Sequence, residues 1–162
     1  MEKPLTLSDY LSLAEVRYQI RRFLHFSEQA SRSAGLEPGQ YQLMLAIKGL
    51  PPGVRPRVAE LAERLQIQHH SAVELVNRLE TGGYVRRQRA GQDRREVLLA
   101  LTLKGEKTLR ELALHHRAEL RSTAPALLRA LKRVVSGGKS TSGRASEIMV
   151  KTKTVTSRRS AE

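Results

Sequence analysis

Fold and function both turn on Val58–Thr102, VAELAERLQIQHHSAVELVNRLETGGYVRRQRAGQDRREVLLALT. Val58, Leu61, Ala62 and Leu65 recur at i, i+3, i+4 and i+7, which places them on one face of a two-turn helix. Gln66, Ile67 and Gln68 make a short turn with one apolar residue pointing inwards. Residues 69–81 predict a second helix, with Ala72, Val73, Val76 and Leu79 on its buried side and Ser71, Glu74, Asn77 and Arg78 on other faces. Gly82 and Gly83 stop it. Tyr84 to Gln88 is strand-like, Gly91 sits at the tip of a turn, and Val97, Leu99 and Leu101 share one face at period two, so a hairpin follows. Five arginines lie between 86 and 95, with Asp93 the one acid among them.

A helix, a three-residue turn and a helix form a helix-turn-helix, and the basic hairpin makes it winged. A helix is about as wide as the DNA major groove, where each base pair shows its own donor and acceptor pattern. The N-terminal part of the second helix enters first, so Gln68, His69, His70 and Ser71 are placed to meet base edges or phosphates. Glu74 can accept from a cytosine amino group, while Asn77 and Arg78 lie further along, toward the backbone. The wing candidates are Arg87, Arg89, Asp93, Arg94 and Arg95, because a narrow minor groove focuses negative potential on an inserted arginine.

Outward from this stretch the chain reads as helices. Residues 7–33 form a long one, with Thr6 or Ser8 as N-cap. Leu13, Val16, Ile20, Phe23 and Ser27 trace one face, Leu24 beside it, while Leu11, Tyr18 and Phe26 lie off the stripe. That is more apolar surface than one face hides, which points to a helix shared with a second subunit. Gly35 ends it, Pro38 opens the next helix over 38–49, and LPPGVRPR makes a stiff loop. After the hairpin, Thr102 is an N-cap candidate for a helix over 103–122, with Leu109, Leu112, His116 and Leu120 on one face. Pro125 breaks that pattern or starts a new helix over 125–135. Residues 136–162 hold six basic and two acidic residues amid Ser, Thr and Gly, and read as a basic, disordered tail.

Composition narrows the class. A net charge of +13 points to a polyanionic partner. The absence of cysteine excludes disulfides and thiolate metal sites, and only Asp9 and Asp93 are aspartates, so a carboxylate cluster for metal or acid–base chemistry is hard to assemble. His115 and His116 are adjacent, whereas zinc ligands on one helix prefer i, i+4 spacing, so no metal or other cofactor is expected, even with His25 nearby. Ser71 beside His70 is adjacency on a helix and not a nucleophile–base geometry, and no phosphate-cradling glycine loop is present, so no enzyme is expected. No apolar run approaches the ~20 residues that span a bilayer. The N-terminus lacks the pattern of a signal peptide, and the expectation is a cytoplasmic protein without a membrane partner.

The order of elements and the residues ELAERLQIQHHSAVELVNRLETGGYVRRQRAGQDRREVLLALTLKG resemble the MarR family of bacterial transcription regulators. The most specific pieces are RLE-xx-G-YV-RR at 78–87, Asp93-Arg94-Arg95, and the helix start from Leu101-Thr102 to Gly105. The likeness covers about 36–121, more weakly 7–35. It implies a mainly α fold: a winged helix-turn-helix lobe over 36–102 with a two-stranded β wing, and dimerisation helices over 7–35 and 103–135, the whole occupying 1–135. It further implies a homodimer on double-stranded DNA at a pseudopalindromic operator, Arg95 in the minor groove held by Asp93, and a repressor released by a small-molecule effector. Tyr18, Arg22, Tyr41 and Met44 are the expected effector pocket walls by rough position. The competing reading is a non-specific nucleic-acid-binding or RNA- or ribosome-associated basic protein. It is poorer, because Tyr84 is the only aromatic within 58–102 available for base stacking.

Overall fold

Thr6 starts the first helix with a reciprocal cap: its hydroxyl accepts from the Asp9 amide, and the Asp9 carboxylate accepts from the Thr6 amide. The computed structural model describes residues 4–89 and 96–136. In chain order these form α1 (Leu7–Ser33), α2 (Pro38–Lys48), α3 (Val58–Leu65), α4 (His69–Thr81), β1 (Val85–Arg89), β2 (Val97–Leu101) and α5 (Leu103–Val135). The residues between β1 and β2 and those from 137 onward, where the basic tail was expected, lie outside the described residues.

The winged helix-turn-helix is present. α3 ends at Gln66 in the left-handed conformation, φ 55°, and α4 starts three residues later, which is the predicted turn. The two strands pair antiparallel with Arg87 opposite Leu99 and Val85 opposite Leu101. A backbone bond from the Leu99 amide to the Pro56 carbonyl (2.9 Å) ties β2 to the loop before α3. Leu43, Met44, Leu61, Val76, Leu79 and Leu99 are fully buried and lock α2, α3, α4 and the wing base into one core. This core gives the lobe its rigidity, since close-packed interiors do not deform continuously.

Two expectations are corrected. The inward face of α1 follows the expected stripe only in part: Ser27 is buried and Val16 and Phe23 are half-buried, but Leu13, Ile20 and the neighbouring Leu24 are exposed, and the other buried positions are Ser12, Gln19 and Ser31. Ser27 meets His116 of α5 at 2.8 Å, and the hydroxyls of Ser12 and Ser31 are satisfied locally, donating to the Ser8 and Ser27 carbonyls, both at 2.8 Å. Second, α5 runs unbroken through Pro125. Proline removes one intrahelical donor and crowds the preceding turn. Thr123 and Ala130, on either side of it, are both buried, so packing on each flank holds the helix together across the proline.

Gly105 explains how the wing meets α5. A Cβ there would overlap the Tyr84 carbonyl oxygen and lie 3.0 Å from its carbonyl carbon. The same carbonyl accepts from the Thr102 amide at 3.0 Å, and the Thr102 hydroxyl caps the Gly105 amide at 3.1 Å. Only glycine lets the first turn of α5 come this close to the strand.

Candidate nucleic-acid interface

Helix α4 buries Ala72, Val76 and Leu79 and so turns His70, Glu74, Asn77 and Thr81 outward on the opposite face; all four are exposed. Gln68, His69 and Arg78 are exposed beside them, and Ser71 is half-buried. The structure thus brings the recognition-helix candidates onto one surface. Gln68 is the N-cap in backbone geometry, yet no side chain caps the helix and its first turn holds no acid. The first-turn N–H groups therefore keep their partial positive charge, the condition under which a helix start takes a phosphate oxygen.

The wing candidates divide. Arg89 is exposed at the end of β1. Arg87 is engaged within the protein: its guanidinium pairs with Glu80 and donates to Asn77 Oδ1 at 2.7 Å, and its amide donates to Glu80 Oε1 at 3.3 Å. The sequence presents Arg87 and Asn77 as separate DNA-contact candidates and gives no sign of Glu80. Their spacings of seven and ten residues cross a Gly-Gly turn, so no helical or strand period links them. Asp93, Arg94 and Arg95 lie outside the described residues.

A second clamp was not anticipated. Glu96, at the start of β2, takes ion pairs from Arg55 and Arg57 in the loop read only as stiff. Desolvation pushes the Glu96 pKa up, but hydrogen bonds from Arg57 and Arg55 and their positive charges outweigh it, so the carboxyl is held below its ordinary value. Lys104 closes the other side, its Nζ 4.1 Å from the Tyr84 ring centre and donating to the Gly82 carbonyl at 2.7 Å. The wing base is thus tied to the α2–α3 loop, to α4 and to α5.

Away from this surface, α1 and α5 enclose an open cleft of about 730 Å³, with Phe26, Ala30 and Ser33 on one wall and Thr108, Leu112 and His115 on the other. Of the expected pocket walls, Tyr41 and Met44 are buried in the core and Tyr18 is exposed; none of the four lines the cleft. Behind it His116 is buried, stacked on Tyr41 at 4.4 Å with Phe23 and Phe26 edge-on. The Leu112 carbonyl, 2.7 Å from Nδ1, only accepts, so Nδ1 carries the proton, while Nε2 meets the Ser27 hydroxyl at 2.8 Å. Burial pushes the Tyr41 phenol pKa up. Among the described residues no group of three or more His, Cys, Asp or Glu can hold a metal ion, and no helix is long and apolar enough to cross a membrane.

The turn-linked α3 and α4, the outward polar face of α4 and the paired wing strands define a winged helix-turn-helix protein. Residues 34–96 match the model of the MarR family. Similar solved structures include AbsC, a MarR family transcriptional regulator from Streptomyces coelicolor, at 24% identity over 83% of this chain and 97% of that one, TM-score 0.63. Sco3205, a MarR family regulator of the same organism in complex with DNA, is 25% identical over 88% of this chain and 94% of that one, TM-score 0.63. A mutant MepR from S. aureus bound to an oligodeoxyribonucleotide shares the fold at 17% identity over 82% of this chain and 98% of that one, TM-score 0.57. Comparison with curated proteins found no match. The chain thus has a winged-helix fold, and its residues 34–96 match the MarR family.

Proposed function

We propose that the protein is a dimeric, sequence-specific DNA-binding transcriptional repressor that occupies a pseudopalindromic operator and is released by a small-molecule effector. The observation that carries this reading is the outward face of α4, where His70, Glu74 and Asn77 stand exposed on a helix whose opposite side is fully buried. Specific recognition needs polar side chains held rigidly at a groove, and the core supplies the rigidity. His69, His70, Ser71 and Glu74 read bases; Gln68 and Arg78 contact backbone; Arg89, Arg94 and Arg95 bring the wing to the minor groove, with Asp93 holding Arg95. The DNA complex of the similar Sco3205 supports the choice of duplex DNA.

Dimerisation is supported by α1, whose Leu7, Tyr10, Leu11, Leu13, Tyr18 and Ile20 are all exposed in the single chain. Leu128, Leu131 and Val135 near the end of α5 are exposed as well. Exposure on this scale marks an interface. The α1–α5 cleft lies within the ~300–1,000 Å³ range typical of ligand pockets and offers the effector a site between the dimer helices. Selection of bound duplexes from a random pool, at stated salt, tests the reading. A two-fold symmetric consensus is expected; enrichment without any consensus would overturn specific recognition.

A further inference from the structure

We infer that Glu80, Arg87 and Asn77 form one positioning unit, which fixes the wing strand to the recognition helix and holds Asn77 as a pure donor toward an acceptor on the duplex. The inference rests on the DNA-binding reading and assigns roles within it. Arg87 comes from β1, Glu80 and Asn77 from α4, three residues apart on neighbouring faces of the helix. The Glu80 carboxylate takes both the Arg87 guanidinium and the Arg87 backbone amide, so it sets the height of β1 against α4 as well as the side chain. Arg87 Nη2 then donates to Asn77 Oδ1 at 2.7 Å.

The chemistry of the pair fixes the amide. A guanidinium has donors only, so the oxygen of Asn77, and not its nitrogen, must face Arg87. The two N–H bonds of Nδ2 are then turned away from Arg87, and among the described residues they have no hydrogen-bond partner. Asn77 shares the outward face with His70 and Glu74, so those donors face whatever lies along α4. A freely turning asparagine can accept and donate together, the pattern that reads adenine in the major groove. With its oxygen held by Arg87, Asn77 donates to an acceptor instead. Its place on the third turn of α4, away from the leading end of the helix, makes a phosphate oxygen the acceptor it reaches.

The assignment also changes the expected electrostatics. The charge of Arg87 is matched by Glu80, so Arg87 displaces no counterion from the duplex, unlike an arginine laid directly on a phosphate. Arg87 is therefore a positioning residue, acting through Asn77 and through the seat of the wing.

The test measures affinity for the selected operator across a salt series. The proteins compared are wild type, Arg87→Ala, Arg89→Ala, Asn77→Ala and Asn77→Asp. Arg87→Ala is expected to lose roughly tenfold or more in affinity while keeping the wild-type slope of log K against log salt. Arg89→Ala is expected to reduce that slope by about one. Asn77→Asp keeps an oxygen for Arg87 but replaces the outward donors with a carboxylate, so it is expected to bind more weakly than Asn77→Ala. The Asn77 losses are expected to be uniform across operator sequences, whereas a changed preference at one base pair would place the acceptor on a base edge and overturn the phosphate assignment. A slope lowered by about one in Arg87→Ala, or Asn77→Asp binding as well as Asn77→Ala, would overturn the unit itself. Asn77 is exposed, so its variants test the idea without threatening the fold. A wild-type protein that selects no duplex would instead overturn the regulator reading on which this rests.

Discussion

Gly105→Ala puts the junction of wing and α5 under test. The added methyl would overlap the Tyr84 carbonyl oxygen and sit 3.0 Å from its carbon, so backbone must move. Either the first turn of α5 lifts off the strand or the Tyr84 peptide retreats into the core beneath it. Overpacking of this kind costs about 1–3 kcal/mol. The Thr102 amide bond to the Tyr84 carbonyl and the Thr102 cap on the Gly105 amide are strained with it, at about 1 kcal/mol each. Alanine's better helix propensity returns at most ~1 kcal/mol. The net expectation is a loss of about 2–4 kcal/mol. At about 2–4 °C per kcal/mol for a chain of this size, Tm should fall by roughly 5–15 °C. Thermal and urea melts of wild type and variant at one protein concentration measure it, since any association would make Tm concentration-dependent. A variant as stable as wild type would refute the reasoning, because α5 would then be free to move away from the strand at no cost.

The Glu96 clamp predicts a pH dependence. Its folded pKa is depressed, so the clamp contributes stability that is fully present above the unfolded value of about 4.3 and is lost as pH falls through the lower folded value. Urea midpoints of wild type and Glu96→Gln should therefore differ at neutral pH and converge in acid; a constant gap down to the acid limit would remove the ion pairs as its cause. His116→Ala should destabilise by about 2–4 kcal/mol, since it empties a ring-lined site and strands the Ser27 hydroxyl, and a near-neutral urea midpoint would contradict the packing described. Leu11→Glu places a charge on the apolar outer face of α1, and sedimentation is expected to shift toward the monomer with melting of the winged lobe preserved; an unshifted distribution would remove this face from the proposed interface.

Sequence periodicity identified the lobe because its forces are local. Leu61 and Ala62 on α3 and Ala72, Val76 and Leu79 on α4 each repeat at the helix period, with prolines punctuating the chain before α3 and the Gly82–Gly83 pair after α4. The outward recognition-helix residues followed from the same geometry, since knowing the buried face fixes the exposed one. The inward face of α1 was misread for a physical reason. Apolar periodicity points to Leu13 and Ile20, whereas the buried positions are Ser12, Gln19, Ser27 and Ser31, and several large side chains lie on faces that one chain does not cover.

By itself, then, the sequence determined the winged helix-turn-helix, its basic character and the face of α4 that meets solvent, because each depends on neighbours within a few residues. Only the tertiary structure decided that Pro125 lies within one continuous helix, that Glu96 is gripped by Arg55 and Arg57, and that Arg87 belongs to Glu80 and Asn77 before it belongs to any ligand. Those outcomes depend on groups brought together from separate elements. An exposed-looking arginine in a sequence carries no mark of the carboxylate that folding sets beside it.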